Sequence, residues 1–113
     1  MIPAPLYHYT CHHHADAIVR SGWLDVQARG LWDVLWLTDL DHPDRDGLGL
    51  TNHLLLCDRA RFRFVVAAPV DVVRWVDVRR RYAPRVRAGL EESPGALPMH
   101  WYLTHSRQAV LLG

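Results

Sequence analysis

One stretch restricts this chain more than any other. Leu6-Tyr7-His8-Tyr9-Thr10 runs straight into Cys11-His12-His13-His14, then on to Ile18-Val19-Arg20-Ser21-Gly22-Trp23-Leu24. The aromatic and β-forming residues of the first five predict a strand. A helix follows from Thr10 or Cys11, with Gly22 as its C-terminal stop and Ile18 and Leu24 turned inward. Period two puts His8 and Thr10 on one face of the strand and Tyr7 and Tyr9 on the other. A histidine at the centre of a first strand suits a small polar ligand better than a core.

The next segments are shorter. Residues 25–31 predict a loop and residues 33–38 a second strand. Residues 39–49, rich in Asp, Pro and Gly, predict a surface loop. Residues 50–56 read as a short helix or a buried turn. The clearest strand is 61–68, where Arg61-Phe62-Arg63-Phe64 alternates before Val65-Val66-Ala67-Ala68 turns fully apolar and Pro69 ends it. The alternating start implies one solvated face and the apolar end burial on both.

Between Val70 and Tyr82, Val72, Val73, Val76 and Trp75 form a helical stripe, with Arg74 and Arg79 to Arg81 outside it and Pro84 as its end. Residues 85–98 carry little pattern and predict a long loop of the kind that is often functional. Residues 100–105 and 108–112 predict two strands, joined as a hairpin by Ser106-Arg107. Imperfect helix–strand alternation favours an α+β fold with a twisted, mostly antiparallel sheet.

The chain has 113 residues, enough for one domain and one core. Half of it is apolar, which speaks against disorder. No apolar run reaches the roughly 18–20 residues of a membrane span. The first residues carry no basic region and no long apolar core, so the expected setting is the cytoplasm, or export by a route not written in these residues. The two cysteines, Cys11 and Cys57, are too few for a disulfide framework and are expected to be free buried thiols.

All 13 basic residues are arginine, against 12 carboxylates, for a formal charge of +1. No strong global field therefore draws the protein onto nucleic acid. Arginine nevertheless grips phosphates and carboxylates with two prongs. Arg20, Arg29, Arg45 and the Arg79-Arg80-Arg81 run are the candidates for a pyrophosphate, Arg20 being the one carried into the site. The triple run reads first as a solvated face.

His8 with Thr10 offers an imidazole and a hydroxyl for ribose hydroxyls. Trp36 with Thr38 offers a ring for stacking and a second hydroxyl. The histidine run with Cys11 is a weak zinc candidate, because consecutive helical histidines point apart. No phosphate loop, nucleophile elbow or paired carboxylate is present.

These residues carry a resemblance. Leu6-Tyr7-His8-Tyr9-Thr10, the helix ending in Gly22-Trp23-Leu24, and Val34-Leu35-Trp36-Leu37-Thr38 together resemble the small ADP-ribosyltransferase superfamily. The nearest in style are the rifampicin ADP-ribosyltransferases, the DNA-modifying toxin ADP-ribosyltransferases and the tRNA 2′-phosphotransferases. Those proteins share a first strand with His-x-Thr or His-x-Ser, a helix ending in a Gly-Leu step, and a strand reading Leu-Ser or Leu-Thr. The 61–69 strand also resembles a segment of the antibiotic-modifying members.

The resemblance implies NAD as cofactor and transfer of ADP-ribose to a nucleic acid or a protein. His8 would hold the ribose near the nicotinamide, the Tyr9 backbone the carboxamide, and Thr10 would support that grip. Trp36 stands at the stacking position and Thr38 at the hydroxyl position. Gln108 stands where the family has an acidic residue. An amide cannot stabilise a ribosyl cation by charge, so Glu91, Glu92 or an aspartate would have to do so. The resemblance further implies a monomer or small homo-oligomer, no metal, and for toxin-like members an antitoxin or target partner. A 2′-phosphotransferase-like enzyme and a non-catalytic nucleotide-binding domain are the alternatives.

Overall fold

The computed structural model describes residues 2–26, 34–42 and 62–112. The fold is α+β, with a five-stranded antiparallel sheet in the order β4-β1-β3-β6-β5 and a two-stranded sheet of β2 and β7. The strands are β1 (Leu6–Thr10), β2 (Trp23–Leu24), β3 (Leu35–Thr38), β4 (Phe62–Val66), β5 (Val73–Arg74), β6 (Trp101–Thr104) and β7 (Gln108–Ala109). The helices are α1 (His12–Ser21), α2 (Trp75–Val78) and α3 (Pro84–Glu91). A 3-10 turn, Arg79–Arg81, joins the last two.

α1 ends as its sequence requires. Gly22 adopts a left-handed φ of 76° and its N–H bonds the Ile18 carbonyl, a conformation that glycine reaches without Cβ strain. The chain then reverses into β2, and Leu24 is buried behind it.

The strand period sorts side chains onto two faces of the large sheet. Leu6, Leu35, Leu37, Phe64, Val66 and Tyr102 pack with Ala15 and Ile18 of α1 and with Leu24. On the other face Trp101 and Leu103 pack with Trp75 and Val78 of α2, and Trp36 and Tyr82 lean against them. The layers are therefore α1, sheet, and the α2–α3 segment. Both cores are consistent with the apolar alternation in β1, β3 and β4.

The second core holds an ionic tie. Trp75 is fully buried, and its indole N–H donates to Glu91 Oε2 at 2.6 Å. Arg79 grips the same carboxylate with two bonds, at 2.7 and 2.5 Å. That guanidinium, above all, holds the Glu91 carboxyl below its ordinary range, with the Trp75 bond assisting. Removing the carboxylate leaves a buried indole donor unpaired, so Glu91→Ala is expected to cost about 2 kcal/mol, measured by urea unfolding. Because the folded value is lowered, the stabilisation is complete above the ordinary carboxylate range. It fades as pH falls through the lowered value. A Glu91→Ala variant whose stability keeps the wild-type acid dependence would contradict this.

Several expectations change. The stretch 70–82 is not one helical stripe: β5 precedes α2, and Val72, Trp75 and Val78 face inward while Val73 and Val76 are exposed. Pro84 does not end a helix but opens α3, where its missing N–H costs nothing. The first half of the loop expected over 85–98 is that helix. β6 and β7 are not a hairpin, because β7 pairs with β2 while β6 lies between β3 and β5. Ala67 and Ala68 are exposed, so the apolar end of the 61–68 strand is not buried on both faces. Residues 27–33 and 43–61, with the 50–56 segment and Cys57, lie outside the described residues.

Candidate functional site

Polar side chains of neighbouring strands converge on the end of β3. Among the described residues, the Tyr7–Thr38 pair sets the register between β1 and β3. The backbone beyond it takes its hydrogen bonds from side chains, since buried carbonyls need donors. His8 Nδ1 bonds the Trp36 carbonyl at 2.8 Å. Tyr9 donates its hydroxyl to the Leu40 carbonyl at 2.8 Å. Leu40 N–H donates to Thr38 Oγ1 at 3.2 Å. Asp39 accepts from His100 Nδ1 at 2.7 Å and from the Tyr102 hydroxyl at 3.4 Å.

The bond to Trp36 sets which ring nitrogen of His8 carries hydrogen. A carbonyl only accepts, so Nδ1 carries hydrogen, and in the neutral ring Nε2 is then the acceptor. The same logic makes His100 Nδ1 the donor to Asp39. Tyr102 keeps its proton easily. Burial, chiefly, raises it above the ordinary phenol value; the Asp39 charge adds to this and Arg74 opposes it.

The strand registers set these groups in line. Phe64 faces His8, Leu37 faces Tyr102, and Tyr102 faces Arg74. With Tyr7 opposite Thr38, His8 falls opposite Leu37. One row on the α1 face thus reads Phe64, His8, Leu37, Tyr102, Arg74. Strands lie about 4.8 Å apart, so His8 and Tyr102 stand roughly 10 Å apart. Asp39 reaches this face through its Tyr102 bond, which brings an imidazole, a phenol and a carboxylate to one end of one sheet face. Beside the row, a groove of about 370 Å3 is lined, among the described residues, by Ala15, Asp16, Val19, Phe62, Arg63 and Phe64.

The expected site residues separate. Thr10 shares the His8 face and is buried. Trp36 and Thr38 do not: paired with Leu103 and Trp101, they lie on the α2 face. Trp36 packs with its ring centroid 5.6 Å from that of Trp75 and 6.2 Å from that of Trp101. Strand alternation thus places the Trp36 ring on the face opposite His8, while the Trp36 carbonyl bonds the histidine. Tyr9 is on that opposite face as well, and buried. Arg20 is exposed in the last turn of α1, where it complements the helix dipole.

Gln108 is not placed as a site residue. Only 1% exposed, it accepts from Val70 N–H at 2.8 Å and donates to the carbonyls of Val70 at 2.7 Å and Ser106 at 3.0 Å. The amide is a brace. Glu91 is taken up by Arg79 and Trp75. Among the described residues the well-placed acid is instead Asp39, which the sequence offered only as one aspartate of a polar loop. Its partners His100 and Tyr102 come from more than 60 positions away, and no local pattern joins them.

Among the described residues no His, Cys, Asp and Glu cluster could hold a metal ion. Cys11 is disulfide-bonded rather than free; the chain's one other cysteine is Cys57. No helix among the described residues is long and apolar enough to cross a membrane. Comparison with protein-family models, curated proteins and solved structures finds no match to this chain.

Proposed function

We propose that the protein is an NAD-dependent ADP-ribosyltransferase whose reactive centre lies along the His8–Tyr102 row. The supporting observation is that His8, Asp39 and Tyr102 share one sheet face, with a groove at the Phe64 end of their row. In this reading His8 Nε2 accepts from a ribose hydroxyl, and the bond of Nδ1 to the Trp36 carbonyl keeps the ring in that orientation. Breaking the bond between nicotinamide and ribose leaves the electron pair on the nicotinamide nitrogen and a ribosyl cation behind. The Asp39 carboxylate, steadied by His100 and Tyr102, would stabilise that cation. An acceptor hydroxyl or amine of a nucleic acid or protein then adds at the sugar carbon and releases its proton.

Purified protein incubated with NAD is expected to release nicotinamide, and His8→Ala is expected to lower that rate at least about 100-fold. Absence of release from the wild type, or equal rates in both, would reject the reading. The bracing role of Gln108 favours a second reading, a nucleotide-binding domain without turnover. Calorimetric NAD binding with no nicotinamide release identifies it. A cytoplasmic setting belongs to this proposal rather than to the fold. The Cys11 disulfide bears on export as the alternative, since such bonds persist in oxidising compartments.

A further inference from the structure

The small net charge of the chain hides a divided distribution. Of 13 arginines, five stand between Arg79 and Arg87, a stretch with no carboxylate; the other eight share the rest of the chain with all 12 acidic residues. The body is therefore net acidic and this one segment strongly basic. The segment is the 3-10 turn and the start of α3.

Its arginines divide by role. Arg79 belongs to Glu91. Arg80, Arg81 and Arg85 are exposed. Arg87 is half-buried, with an Nε that makes no hydrogen bond. The Arg79–Glu91–Trp75 tie holds the turn against the end of α3. The exposed arginines thus stand on a backbone already ordered by folding, which lowers the entropy lost on binding.

We propose that this 79–87 surface binds the phosphate backbone of a nucleic-acid strand. The guanidinium fork suits phosphodiesters, taking two oxygens at once. Membrane attachment needs apolar side chains inserted beside the charges. None of the exposed large hydrophobic residues falls between Arg79 and Glu92. The acidic remainder of the protein repels a polyanion and so directs it to this face. Binding itself stands apart from the transferase reading. Only the further step, that the bound strand is the acceptor, rests on that reading.

The test uses fluorescence anisotropy with labelled single-stranded RNA and DNA oligonucleotides, without NAD. A parallel arm uses vesicles of phosphatidylserine and phosphatidylcholine. Wild-type protein is expected to bind the oligonucleotides with an affinity that falls as salt rises. Arg80→Gln/Arg81→Gln/Arg85→Gln is expected to weaken binding at least tenfold. It should also flatten the slope of log affinity against log salt by about 2, near 0.7 for each phosphate no longer neutralised. All three residues are exposed, so an unchanged melting temperature is expected to accompany the loss. Equal binding by the triple variant, no oligonucleotide binding by the wild type, or binding to vesicles alone overturns the proposal. Oligonucleotide binding with no NAD turnover leaves it standing while rejecting the transferase reading.

Discussion

Gln108→Leu is expected to destabilise the protein by about 3 kcal/mol, a fall in Tm on the order of 12 °C. The side chain is sealed, and it satisfies both backbone groups of Val70 while donating to Ser106. Leucine fills similar space but leaves the Val70 N–H and C=O without partners. Each buried orphan costs about 1–3 kcal/mol. The brace also steadies its neighbour Asp71, whose φ of 55° is left-handed and costly for a residue with a Cβ. Thr104 supports the same turn by donating to the Asp71 carbonyl at 3.0 Å.

Gln108→Glu is the sharper variant. If this position were a reactive group that had lost its charge, glutamate would raise nicotinamide release. The geometry predicts the reverse. A carboxylate in the sealed site would face the Val70 and Ser106 carbonyls and lose two donated bonds, so the variant should unfold more easily and gain no activity. A gain in turnover would move the reactive centre from Asp39 to position 108.

Asp39→Asn is expected to reduce nicotinamide release by about 100-fold to 1,000-fold, with NAD affinity little changed. The amide keeps the shape, accepts from His100 through its oxygen and can donate its NH2 to the Tyr102 hydroxyl oxygen, but it carries no charge to meet a ribosyl cation. The effect should therefore appear in kcat rather than KM. Melting curves separate this from unfolding, since the Asp39 side chain is about 29% exposed and its pairing with His100 contributes little to stability. Wild-type turnover by Asp39→Asn would remove this carboxylate from the chemistry.

The elements with strong local pattern were readable from the chain. β1, α1 with its Gly22 stop, β3, β4 and β6 follow from alternation, capping and β-forming residues. α3 was not, because Pro84 reads equally as a breaker and as a first helical residue, and Gly89 and Ser93 dilute the pattern around it. The hairpin expectation failed since Ser106-Arg107 looks like a tight turn, while the partner of β7 is β2, more than 80 positions earlier.

At the site, His8 was legible as a polar residue out of place in an apolar strand. Its separation from Trp36 was not. Period two sorts residues within one strand, but which faces of two strands coincide depends on register, here the pairing of Tyr7 with Thr38. The Asp39–His100–Tyr102 group joins two strand ends and has no spacing that a linear reading could detect. The disulfide at Cys11 was missed for a related reason: two widely spaced cysteines carry no sign of whether they pair.

The cluster of Trp36, Trp75 and Trp101, with Tyr82 5.2 Å from Trp75, gives the protein a built-in optical gauge. Rings this close couple their transitions, so near-ultraviolet circular dichroism will carry a signature of their mutual tilt. The carbonyl of Trp36 is the atom that His8 holds. A molecule docking at the imidazole on one side of the sheet should therefore register in the indole signal on the other, without any added dye.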